Sequence, residues 1–364
     1  MLNQAFAPGA ISATDEPIAR AIRTGDDKAM LKEAANLTRE LNAPSAAIYW
    51  SDMLGSALLG YAALALAIAT HFPVVAIAAG VVSMLALYRA GLFIHEITHL
   101  KAGALPGFRL VWNVLVGVPL LAPSFMYEGI HNMHHAKIRY GTVEDPEYLP
   151  LALMKPWTLP VFVFAAMLAP VALIFRFAVL TPLSLLSPKL RDLVVGKFSG
   201  LQINPKFMRK RPEGEFKRQW AWMEAGASLW AIALVAGVTT GFIPVRAFLI
   251  GLGVASGAML LNQLRTLVAH LWENDGDAMS VTDQYLDTVN VPPPGLLPAL
   301  WAPVGLRYHA LHHLLPGVPY HNLGKAHRRL TGALDTGSSY HAAHYKGLFP
   351  LVGKLWVSTR AVKR

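Results

Sequence analysis

The chain has 364 residues, of which 54% are hydrophobic and only 15% charged, against about 25% charged in a soluble protein, so much of its surface is expected to face lipid. Its formal charge is +10 with no basic run interleaved by aromatics, a pattern that fits a membrane face and excludes a nucleic-acid tract. Cysteine is absent, which excludes disulfides, thiolate nucleophiles and cysteine-held iron–sulfur clusters.

Residues 1–26 carry no apolar core of signal-peptide length. From Asp27 to Leu41 a short amphipathic helix is expected, with Met30, Leu31, Ala34, Leu37 and Leu41 on one side. It would lie on the membrane surface or pack against the rest of the protein. Six apolar stretches follow, at 53–73, 74–94, 110–127, 157–185, 221–241 and 247–268. A span needs about 20 residues. Segment 110–127 is short and carries Gly117, Pro119 and Pro123, while 157–185 is broken by Pro160, Pro170 and Pro182 and carries Arg176. Of the 32 Lys+Arg, 5 fall in 1–52, 5 in 95–156, 9 in 187–219 and 9 in 271–364. If 53–73, 74–94, 221–241 and 247–268 span, all four basic regions share the cytoplasmic side, as the positive-inside rule requires. Segments 110–127 and 157–185 then start and end on that side as re-entrant or interfacial elements. Tyr49, Trp50, Trp220, Trp222 and Trp272 are expected to anchor the span ends at that interface.

The expected fold is an all-α integral membrane protein. Four transmembrane helices carry a cytoplasmic helical cap (95–156, 187–219 and 271–364), and residues 1–52 form a cytoplasmic N-terminal segment before a membrane domain over 53–364.

Three histidine clusters stand out: His95 and His99 as HxxxH, His131, His134 and His135 as HxxHH, and His309, His312 and His313 as HxxHH. Positions i, i+3 and i+4 share a helix face, so each cluster can aim its imidazoles at one point. All three, with His270, fall on the side assigned by counting lysine and arginine, whereas His71 falls on the other. Neutral imidazole suits iron, zinc or copper. Nine histidines are too many for one ion, which points to two metals; iron is preferred because zinc has no redox chemistry.

These clusters resemble the histidine boxes of the integral-membrane fatty acid desaturase family. The resemblance continues through Gly141-Thr-Val-Glu-Asp-Pro-Glu147 and from Leu311 through Asn322 to Leu330. It implies that His95, His99, His131, His134, His135, His309, His312 and His313 bind two Fe ions, with His270 as the isolated extra ligand. Relatives place an asparagine four residues before that histidine, where this chain has Thr266, and the short first box is similar to that of acyl-lipid enzymes. The activity implied is O2-dependent desaturation of a lipid-linked acyl chain in a bacterial plasma membrane, with the site on the cytoplasmic side. Two electrons would come from outside the chain, from a ferredoxin-like donor at the basic face, which also suits anionic headgroups. Glu96, Glu128, Glu144 and Asp145 are candidates to orient the ligand imidazoles, and His321 for a supporting or headgroup role.

Two rivals share some of these residues. A hydroxylase or ketolase of a lipid, sphingoid or carotenoid would use the same scaffold, rebounding oxygen onto the carbon radical. His95-Glu96-xx-His99 also matches the HExxH of a zinc intramembrane peptidase, which would leave the other seven histidines without a task.

Overall fold

The computed structural model describes residues 25–361; the reading of residues 1–24 as free of a signal segment lies outside them. Among the described residues the regular structure is helical, joined by isolated β-bridges. The helices that matter for the site are α1 (Lys28–Thr38), α2 (Ala46–Ala69), α3 (Pro73–Gly91), α4 (Phe93–His99), α5 (His131–His134) and α6 (Thr158–Ser184). They are followed by α7 (Gly214–Thr239), α8 (Val245–Leu267), α9 (His309–Leu314), α10 (Tyr320–Ala333) and α11 (Leu348–Ala361). Five helical stretches are long and apolar enough to cross a membrane by length and composition: α2, α3 with α4, α6, α7 and α8.

Four of these cover the expected spans. The site-side ends of three run further than the apolar segments, beginning at Ala46 and Gly214 and ending at His99, while the fourth ends at Leu267. The fifth, α6, is the segment expected to be re-entrant or interfacial. Its Pro170 and Pro182 stand in the first turns of successive helical pieces, where a missing N–H costs nothing. Leu159 and Phe162 at its start join a core with Leu267 and Trp272. In its middle the Met167 carbonyl accepts from Ser256 at 2.9 Å, and near its end Arg176 donates to Glu224 at 2.6 Å. Segment 110–127 forms a short apolar helix, Phe108–Gly117, and a single helical turn, Ser124–Met126.

Close packing of α2 on α3 depends on a small residue: a Cβ at Gly60 would meet the Leu87 side chain at 2.6 Å. The aromatic residues read as interfacial anchors divide into two kinds. Trp50 and Trp222 are partly or well exposed, but Tyr49, Trp220 and Trp272 are at most 1% exposed. Trp220 stacks on Phe125 with centroids 4.3 Å apart, and Trp272 donates its indole N–H to the Leu267 carbonyl at 2.7 Å. An aromatic at the end of an apolar segment can face headgroups or fill a core, and these three fill cores.

Helix α1 takes the second of its two expected roles. Asp27 caps it, accepting from Met30 N at 2.9 Å, and Met30, Ala34 and Leu41 are buried against Leu311, Leu323, Ala326 and Leu330. The N-terminal helix thus packs onto the elements that carry the third histidine cluster.

Candidate metal centre

The nine histidines come from four separate stretches. His95 and His99 lie on α4; His131 and His134 on α5, with His135 just past its end; and His309, His312 and His313 on α9. His270 follows α8, and short extended backbone sets it beside α9: Leu271 N donates to Asp287 O at 2.7 Å, Val289 N to Ala269 O at 3.0 Å, and Ala310 N to Val289 O at 3.1 Å.

This arrangement gathers the nine into two groups. His95, His99, His131, His135 and His312 form one, and His134, His270, His309 and His313 the other, with the ligand-capable atoms of each within 4.8 Å of one another. In the first, His312 Nε2 lies 3.1 Å from His99 Nε2 and 3.2 Å from His135 Nε2, and His135 Nε2 lies 3.0 Å from His131 Nε2. In the second, His309 Nε2 lies 3.0 Å from His270 Nε2 and 3.2 Å from His313 Nε2. Nitrogens bound at right angles to one ion, at about 2.1 Å each, would stand about 3 Å apart. His95 Nε2 is buried with no protein partner, which an ion would satisfy. The donor set fits two metal ions.

Electrostatics keeps most of these rings in the ligating form. Burial first, and then neighbouring imidazoles, hold His131, His135, His270, His309, His312 and His313 well below the usual histidine range. His134 goes the other way: burial opposes its charge, but the Asp145 carboxylate outweighs that and raises it.

Nδ1 atoms are held from behind. His134 Nδ1 lies 2.9 Å from Asp145 Oδ2, and His131 Nδ1 lies 2.9 Å from Glu147 Oε1. Tyr127 sits 2.9 Å from that same nitrogen and donates its hydroxyl to Glu147 at 2.8 Å. The Tyr140 hydroxyl is 2.8 Å from His270 Nδ1 and donates to Asp287 at 2.7 Å. Burial raises both Glu147 and Asp287 to about 7, so Glu147 and His131 meet as a hydrogen-bonded pair biased toward neutral forms. Asp145 is itself fixed by the turn before it, accepting from Gly141 N at 2.8 Å. Gly141 has φ +71°, and a Cβ there would meet Asn274 Nδ2 at 2.6 Å, so only glycine fits.

Of the candidate orienting residues, Asp145 and Glu96 contact clustered histidines. Glu96 lies 3.4 Å from His95 Nδ1, and it accepts from the Tyr49 hydroxyl and from Tyr320 N. Glu128 instead pairs with Arg109 at 2.6 Å and accepts from Ser124, and Glu144 pairs with Arg139 at 3.5 Å on the surface. Both are corrections, since stronger partners take those carboxylates away from the imidazoles. His321 accepts from Ser45 N at 3.1 Å and packs on Tyr49, tying α10 to the start of α2. Glu147, Asp287, Tyr127 and Tyr140 are additions. Glu147 closes the Gly141–Glu147 motif, a signal that was in view; Asp287 stands alone in sequence and gave none.

The peptidase reading loses its base here. Glu96 is only 4% exposed and already engaged by Tyr49 and Tyr320, and His95 and His99 share their group with three further histidines.

A family model described as fatty acid desaturase matches residues 68–344. A ceramide hydroxylase of Caulobacter vibrioides (strain NA1000 / CB15N) is 51% identical over 338 residues, covering 93% of this chain and 96% of its own. No solved structure matches the chain.

Proposed function

The chain belongs to the fatty acid desaturase family, and from that premise we propose that it is a membrane-bound, O2-dependent hydroxylase of a ceramide-class lipid. The observation that carries this reading is the near-full-length identity to a protein named for ceramide hydroxylation. It reverses the order reached from sequence, where desaturation stood first and hydroxylation second.

His95, His99, His131, His135 and His312 would hold one iron, and His134, His270, His309 and His313 the other. Bound there, the two irons supply O2 activation and removal of hydrogen from an unactivated carbon. The protein's part is orientation and exclusion of water. Asp145, Glu147 and the Tyr140–Asp287 pair hold the far nitrogens of His134, His131 and His270, which fixes the ring planes. Trp272, fully buried 4.7 Å from the His270 ring, and Tyr148 and Phe162 around it keep that side dry.

Both ends of α6 contact groups near the site ends of α7 and α8, which favours a segment that enters and returns on the cytoplasmic side over a fifth span. With both termini inside, the basic loops face the cytoplasm, where an acidic ferredoxin-like donor and anionic headgroups would meet them. A bacterial plasma membrane is the expected location.

Lipid mass spectrometry on cells expressing the protein tests the reading. Ceramide should gain the mass of one oxygen atom, with about two irons per purified chain. Loss of two hydrogens in place of that gain would restore the desaturase reading, which the family description favours.

A further inference from the structure

Five arginines lie in the long apolar helices, and the cost of a cation in lipid means each needs donors satisfied or a task. Arg218, in the first turns of α7, is exposed and pairs with Glu215. Arg89 donates through Nε to Asp52 at 2.7 Å. Arg176 donates to Glu224, Ser199, Thr181 and the Phe198 carbonyl. Arg246 donates to the carbonyls of Ile68 and Thr70 that end α2. Arg265 differs. Among the described residues no carboxylate pairs with it, its Nη2 donates to Asn262 Oδ1 at a long 3.2 Å, and its Nε is buried with no partner.

Arg265 lies in the last turn of α8, beside the Tyr88 hydroxyl of α3, whose oxygen is an acceptor for one guanidinium N–H while its proton goes to the Trp301 carbonyl at 2.9 Å; the Nε–H is the donor left over. Leu260, Leu261 and Leu264 flank it among apolar cores. It precedes His270 by little more than a helical turn. After burial and the neighbouring imidazoles, its charge adds to keeping His270 and His309 neutral, as its nearness to the centre requires.

We propose that Arg265 positions the substrate: its free Nε–H binds an acceptor oxygen, an amide carbonyl or hydroxyl of the lipid's polar backbone. Guanidinium only donates, so the missing partner is an acceptor, and in an apolar setting beside the metal centre the lipid substrate is the molecule that brings one. It follows that the carbon oxidised lies a few bonds from that oxygen, near the head of the lipid and not far down its tail. This inference rests on the hydroxylase reading above.

The test uses the full-length, iron-loaded enzyme in neutral liposomes, with a short-chain ceramide as probe and product position read by fragmentation mass spectrometry. Wild type should add its hydroxyl at one carbon close to the amide. Arg265→Met should raise KM about ten- to a hundredfold, the loss of a hydrogen bond to a charged donor. It should also scatter the hydroxyl over several carbons at unchanged iron content, and Arg265→Lys should recover part of both. A wild-type hydroxyl far from any oxygen function overturns the inference without any variant. So does Arg265→Met with wild-type KM and a single product position. If the Arg265→Met defect appears only when anionic phospholipid is added, the arginine binds bulk lipid phosphate and the inference falls. No ceramide turnover by wild type overturns the hydroxylase reading, and this inference with it.

Discussion

His135 lies nearly face to face with His313, ring centroids 4.2 Å apart and planes 26° apart. One belongs to the five-histidine group and the other to the four-histidine group, so the two groups share a wall and form one centre.

Removing one member from each group tests whether there are two metal positions. His309→Ala and His312→Ala should each abolish activity, and each should lower iron from about two per chain toward one, measured by elemental analysis. Activity that survives either change would refute a shared centre, as would a single zinc in wild type.

Asp145 is fully buried behind His134. Asp145→Asn keeps its size and removes the charge that orients the ring, so metal affinity should fall about 10–100-fold in a chelator competition assay. Glu144→Gln, one residue away but paired with Arg139 at the surface, should leave affinity unchanged. Equal losses in the two variants would refute the assignment.

Glu224 bridges Arg176 and Arg191, each at 2.6 Å, with Arg176 and Glu224 both buried. Glu224→Ala strands a buried arginine and should destabilise the protein by about 3–5 kcal/mol, seen as a lowered thermal midpoint in detergent. A shift within error of wild type would mean that water replaces the carboxylate.

His327 and His344 lie ring to ring, centroids 5.0 Å apart, beside the core that seats α1. Burial pushes both from 6.5 down to about 4, helped by Arg328 and Arg307 at His327 and by the neighbouring imidazoles at His344. The unfolded chain takes up these protons near 6.5 and the folded one only near 4. The stability they contribute is therefore complete above 6.5 and falls as the pH drops toward 4. The detergent thermal midpoint should decline between about pH 7 and about pH 5, and His327→Gln should flatten the decline. Parallel pH curves for the two proteins would rule this out.

What could be read from the sequence follows from how local each signal is. All nine clustered histidines were visible because eight sit at helix-face spacing and His270 falls at the end of an apolar segment. Asp145 and Glu96 were visible as carboxylates within or beside those clusters. Asp287 was not: it acts on His270 through the hydroxyl of Tyr140, which stands 147 residues of chain away from it, and only the fold brings those two together. Glu128 and Glu144 were misread because nothing local reveals that Arg109 and Arg139 claim them. Tyr49, Trp220 and Trp272 were misread as anchors because position along the chain does not distinguish an outward ring from an inward one. Segment 157–185 was expected to be re-entrant or interfacial because of its prolines and Arg176; the prolines do stand in the first turns of successive helical pieces, but Thr158–Ser184 is also one of the five stretches long and apolar enough to cross a membrane.

Each group also draws on α9: His312 completes the first, and His309 and His313 complete the second. During synthesis, therefore, neither cage can close until some three hundred residues have left the ribosome and the membrane helices have been threaded. Any metal the cages hold must be acquired late, by an inserted and nearly finished chain, and a product truncated before Tyr308 would sit in the bilayer with both cages open.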